Sequence, residues 1–184
     1  MSKSPLAGYT GSLEPATAAR ISAVLERQRK AEETVKPSKI MIVDDEEYNV
    51  FVFRKYLRDS GYHNVVQTSD STQAISMIEA ERPDLLLLDL MMPKVNGVDI
   101  LASLASNSAF DHMPVLVLTA SSDSQIKQTA LGLGASDFLT KPIDQHELLP
   151  RVWNALLAKT FQDRLGRYAQ DLEQTIRRRT ADLT

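Results

Sequence analysis

The chain has 184 residues, 43% hydrophobic and 24% charged, enough for one good core and some additional elements. A formal net charge of −3 gives no overall electrostatic case for binding nucleic acid or an anionic membrane, and the absence of cysteine rules out disulfides and thiolate metal sites. With no apolar run of about 18 residues and no signal-peptide core, the sequence predicts a soluble cytoplasmic protein with no direct nucleic-acid or membrane partner.

Residues 1–14 are rich in Ser, Gly, Pro and Thr and are expected to be disordered or loosely attached. A helix is predicted over 15–33, with Pro15 in its first turn and Ile21, Val24, Leu25 and Gln28 at helical spacing. Its short apolar stripe suits a helix resting on the rest of the chain or on a second copy. Lys36-Pro37-Ser38 then breaks the chain and closes an N-terminal extension over 1–38.

From 39 to 158 strand and helix signals alternate. Strands are predicted at 39–43, from 65–66, at 85–89, at 115–118 and at 137–139; helices at 47–60, 72–80, 97–106, 124–133 and from 144 onward. The helix at 47–60 is expected to bury a side made of Val50, Phe51, Phe53, Arg54 and Leu57, and Gly61 to stop it. Five strand-helix units of this length specify an α/β fold: one parallel sheet with helices on both faces and right-handed crossovers. The stretch Asp84-Leu85-Leu86-Leu87-Leu88-Asp89 is the most telling. A short unbroken apolar run bounded by turn signals reads as a strand buried on both faces, and its end delivers Asp89 to the edge where such sheets bind ligands.

The other strands deliver Asp44-Asp45-Glu46, Thr119-Ala120 and Thr140-Lys141-Pro142 to that edge. Clustered carboxylates repel one another unless a cation neutralises them or one holds a proton. An all-oxygen set with room for water suits Mg²⁺, and a lysine and a hydroxyl facing it supply what a transferring phosphoryl group requires. Taken singly these residues have plainer readings: Asp44 and Asp45 as helix caps, Thr119 as a strand residue, Lys141 as a solvated charge, Phe138 as core.

Together, Val43-Asp44-Asp45-Glu46, Leu88-Asp89-Leu90-Met91-Met92-Pro93, Leu118-Thr119-Ala120 and Thr140-Lys141-Pro142 resemble, in order and spacing, the receiver domain of two-component response regulators, the CheY-like superfamily. The resemblance covers 39–158 and implies a flavodoxin-like sheet of five strands in the order 2-1-3-4-5. It implies that Asp89 is the phosphoacceptor, with Lys141 and Thr119 contacting the phosphoryl group. It further implies that Asp44, Asp45, Asp89 and the backbone carbonyl of Met91 hold Mg²⁺, that Thr119 and Phe138 form the switch, and that Met91 and Ser121 tune phosphoryl lifetime. The Lys141-Pro142 bond is usually cis in this family. The implied partner is a histidine kinase or phosphotransfer protein. The implied role is regulatory, with at most self-phosphorylation and autodephosphorylation. A haloacid-dehalogenase-like Mg²⁺ phosphatase is the alternative, but that type expects a second Asp where the chain has Met91. A flavodoxin-like cofactor binder expects a phosphate loop where the chain has acids.

Val152, Leu156, Phe161, Leu165, Tyr168, Leu172 and Ile176 continue an apolar stripe along the last helix. The pattern predicts a coiled-coil linker over 159–184 and a homodimer formed through it, with a stutter near Leu172 and Ile176. A lone amphipathic helix packed on its own domain is the alternative. Arg177-Arg178-Arg179, with acids nearby, reads as a solvated face. The ending is similar to connectors that join receivers to cyclic-dinucleotide enzymes or histidine kinases, so an output domain is expected beyond Thr184.

Overall fold

The computed structural model describes residues 15–120 and 124–181; the expectations for residues 1–14, for Ser121 and for the last three residues lie outside them. The chain divides into two units, Met1–Glu33 and Thr34–Thr184. The first contains most of α1, Pro15–Val35, on which Glu26, Arg29 and Glu33 form surface ion pairs and Val24 and Leu25 are exposed.

The second unit alternates as the sequence predicts. β1 is Ile40–Val43, α2 Glu47–Asp59, β2 Val65–Thr68, α3 Ala74–Glu81 and β3 Leu85–Asp89. α4 is Gly97–Ala105, β4 Val115–Thr119, α5 Ser124–Gly132, β5 Asp137–Thr140 and α6 Gln145–Ala181. The strands form one parallel sheet in the order β2-β1-β3-β4-β5. Short 3₁₀ turns at Ser71–Gln73 and Ser108–Phe110 precede α3 and β4. The first of these displaces the predicted start of α3, because the Asp70 side chain accepts from the Thr72 amide and tightens the chain there.

Every residue of β1, β3 and β4 is buried, as expected for strands covered on both faces. The alternation of side chains divides them into two cores. Met41, Val43, Leu86, Leu88, Val115 and Val117 pack with α3, α4 and α5, whereas Ile40, Ile42, Leu85, Leu87, Leu116 and Leu118 pack with α2 and α6. Truncating one of these leucines to alanine removes about 2–5 kcal/mol, so the central strand is the least replaceable part of the unit.

On α2 the core takes Val50, Phe53 and Leu57, while Phe51 is 65% exposed. The expectation that Phe51 packs inward is therefore corrected. Phe51 lies about 100° round the helix from Val50, beyond the arc that faces the sheet. Gly61, at φ +89, ends α2 as expected. On α6, Leu148, Val152 and Leu156 are buried, but Phe161, Leu165, Tyr168, Leu172 and Ile176 are all more than half exposed. The stripe thus has an inner half spent on the sheet and an outer half facing away from it. Among the described residues, no helix is long and apolar enough to cross a membrane.

Candidate functional site

Strand register explains how residues far apart in sequence meet. Val43 is level with Leu88, so the next residues, Asp44 and Asp89, emerge side by side. Asp89 is level with Leu118, and Thr119 with Thr140, so Thr119 and Lys141 follow one and two steps further along the same edge. The Lys141-Pro142 peptide is cis, as the sequence motif implies.

Lys141 Nζ lies 2.7 Å from Asp89 Oδ2 and 2.8 Å from Asp44 Oδ2. Asp44, Asp89 and Thr119 are buried, and the Lys141 side chain is 14% exposed. Burial alone would lower the Lys141 ammonium, but its hydrogen bonds and charge pairing with the two carboxylates outweigh this and hold it above its ordinary value. Burial pushes the Asp44 carboxyl up; Lys141 and Asn49 draw it back only in part, and the charge of Asp89 adds to the rise. The ammonium is therefore charged, and the uncompensated charge belongs to the acids.

Asp44 Oδ1 accepts from the Glu46 amide at 3.0 Å and the Asn49 side-chain amide at 3.1 Å. Asp89 Oδ1 accepts from the Met91 amide at 3.1 Å. Half-buried Asp45 has no hydrogen-bond or ion-pair partner among the described residues. One oxygen from each of Asp44, Asp45 and Asp89 lies within 4.8 Å of the others. Three carboxylates against one lysine leave a net negative pocket lined by oxygen, which fits a hard divalent cation such as Mg²⁺.

The loop that follows Asp89 is tied down from two sides. Ser71 Oγ donates to the Pro93 carbonyl at 2.7 Å and accepts from the Val95 amide at 3.2 Å. Gly97, the first residue of α4, runs against the strand end so closely that a Cβ would stand 2.1 Å from the Asp89 carbonyl oxygen. Asn96 caps the same helix by accepting from the Val98 amide at 2.9 Å. The Met91 side chain is exposed, as is Ala120 just after β4.

The structure brings Asp44, Asp45, Asp89 and Lys141 together, with Thr119 one register step away. Phe138 stands apart from this group. It is half-buried on β5, its ring covered by Lys127, whose Nζ is 4.5 Å from the centroid. Asn49, Ser71, Gly97 and Lys127 were not singled out as site residues from sequence. Only Gly97 carried a local signal there, as a glycine just after the loop.

The chain is similar to several proteins of known kind. It is 40% identical over 114 residues to the alkaline phosphatase synthesis transcriptional regulatory protein PhoP of Bacillus subtilis, covering 62% of this chain and 46% of that protein. It is 36% identical over 146 residues to the response regulator MprA of Mycobacterium bovis, covering 79% of this chain and 59% of the relative. The chain thus spans about half the length of these curated relatives. Among solved structures, a signal receiver domain from Vibrio parahaemolyticus superimposes with a TM-score of 0.66 at 26% identity, over 70% of this chain and 97% of that one. Residues 40–153, which carry all five strands and the clustered acids, match the response regulator receiver domain, and the chain belongs to that family.

Proposed function

We propose that this receiver domain accepts a phosphoryl group on Asp89 from a histidine kinase or phosphotransfer protein in the cytoplasm. A carboxylate oxygen of Asp89 forms the new bond to phosphorus while the bond from phosphorus to the donor nitrogen breaks, and the histidine leaves with its electron pair. The observation that carries this reading is Lys141 Nζ placed 2.7 Å from Asp89 and 2.8 Å from Asp44. That ammonium can pass from the carboxylate to a phosphoryl oxygen with little movement, supplying preorganised positive charge where negative charge arrives.

Asp44, Asp45, Asp89 and the Met91 carbonyl would hold Mg²⁺, and the unpartnered Asp45 carboxylate supports this set. When bound, the ion would neutralise the acids and the phosphoryl oxygens during transfer. Thr119 donates to the phosphoryl group from the end of β4, and Phe138 follows as the populations of two β4–β5 arrangements change. The domain is a regulatory module, whose catalysis is confined to its own phosphorylation and dephosphorylation. α6 carries the change onward through the exposed stripe from Phe161 to Ile176, which fits a homodimeric coiled coil leading to an output domain. For that domain we propose cyclic-dinucleotide turnover or a histidine kinase.

Acetyl phosphate labelling in Mg²⁺ tests the acceptor. The chain should take up label, and Asp89→Asn should take up none while keeping its circular dichroism spectrum. Stable labelling of Asp89→Asn would overturn the assignment.

A further inference from the structure

Lys127 lies on α5 outside the phosphoryl pocket, and it makes two contacts with β5. Its ammonium stands 4.5 Å from the Phe138 ring centroid and donates to Thr140 Oγ1 at 3.1 Å. Phe138 and Thr140 are two residues apart on one strand, so both side chains present the same face to α5. Thr140 is the register partner of Thr119, and the next residue, Lys141, donates its amide to the Thr119 carbonyl at 2.8 Å. One side chain therefore ties the aromatic to the strand end that lies next to the proposed phosphoryl contacts.

We infer that Lys127 is a positioning residue that holds Phe138 in its resting orientation. This rests on the proposed reading of Phe138 as a switch. A cation over the face of an aromatic ring is attracted by the ring quadrupole, more strongly where water is partly excluded, and both partners here are half-buried. The hydrogen bond to Thr140 fixes the ammonium so that it cannot follow the ring. A turn of Phe138 towards Thr119 must therefore give up the cation–π contact. A contact made in only one of two states biases the equilibrium towards that state by its full free energy. Lys127 thus raises the threshold that the phosphoryl group must overcome.

The test uses the whole 184-residue chain with ¹³C-labelled phenylalanine, titrated with beryllofluoride in Mg²⁺, Phe138 being assigned through Phe138→Leu. In Lys127→Met the Phe138 ring resonances should move part of the way towards their beryllofluoride-bound position before any is added. The titration midpoint should fall by about threefold to tenfold, as expected for loss of the one cation–π contact made only in the resting state. Lys127→Arg, which keeps a cation able to stack on the ring, should stay near the wild type. A Lys127→Met midpoint that is unchanged or higher, with Phe138 unmoved, would overturn the inference while leaving the switch intact. Should Phe138 of the wild type ignore beryllofluoride, or respond equally in Asp89→Asn, the switch itself fails and the inference falls with it.

Discussion

Lys141 and Asp89, 52 residues apart in sequence, meet at 2.7 Å from the ends of β5 and β3, across the end of the intervening β4, and the same ammonium reaches Asp44. The lysine is thus both a proposed phosphoryl ligand and the counter-ion of the resting pocket. Lys141→Met should destabilise the chain by about 2–4 kcal/mol without Mg²⁺, because it leaves two buried carboxylates without a cation. Added Mg²⁺ should recover much of that loss. Urea unfolding of both forms with and without Mg²⁺ checks this, and a loss of equal size in both conditions would refute the counter-ion role.

Asn49 donates its side-chain amide to Asp44, at 3.1 Å to Oδ1 and 3.4 Å to Oδ2, the oxygen that Lys141 also contacts. Asn49→Ala should weaken Mg²⁺ binding about tenfold, as removing the orienting partner of a metal ligand does. Calorimetric titration with Mg²⁺ provides the number. Unaltered affinity would mean that the Glu46 amide and Lys141 suffice to orient the carboxylate.

Gly97 has no room for a side chain against the Asp89 carbonyl. Gly97→Ala must push α4 away from β3 and should cost about 3 kcal/mol, at the upper end of overpacking penalties. Acetyl phosphate labelling should slow in the folded fraction, since the backbone of Asp89 itself is displaced. Unfolding and labelling together test both statements. Ser71→Ala should cost less, about 1 kcal/mol, because it removes a hydrogen-bonded tie to the 93–95 loop without a clash.

Leu165 and Leu172 are 69% and 62% exposed on the outer half of α6. If that stripe pairs with a second copy, Leu165→Glu with Leu172→Glu should yield a monomer in sedimentation equilibrium. The unfolding midpoint of the receiver core should not move, because neither side chain touches it. A mass unchanged by the double substitution would sink the coiled-coil reading.

What the sequence by itself determined was the order of elements and which side chains gather at one edge of the sheet. The buried strands β1, β3 and β4 announce themselves as unbroken apolar runs that lead to Asp44, Asp89 and Thr119 at the sheet edge, whereas β5, Asp-Phe-Leu-Thr, carries no such run before Lys141. Register then follows from burial on both faces, since a one-residue slip would turn every side chain to the wrong core. The tertiary structure decided what local pattern cannot encode. The pairing of Asn49 with Asp44, the tie from Ser71 to the 93–95 loop, the missing space at Gly97 and the cover that Lys127 gives Phe138 are contacts between separate elements. Helical periodicity marks an apolar stripe but not how much of it is used. Val50 and Phe53 therefore face the core while Phe51 does not, and the stripe of α6 passes from the sheet at Leu156 to an open face at Phe161. The physical reason is that docking angle and element length, set by the packing of the whole sheet, decide which part of an amphipathic surface meets a partner.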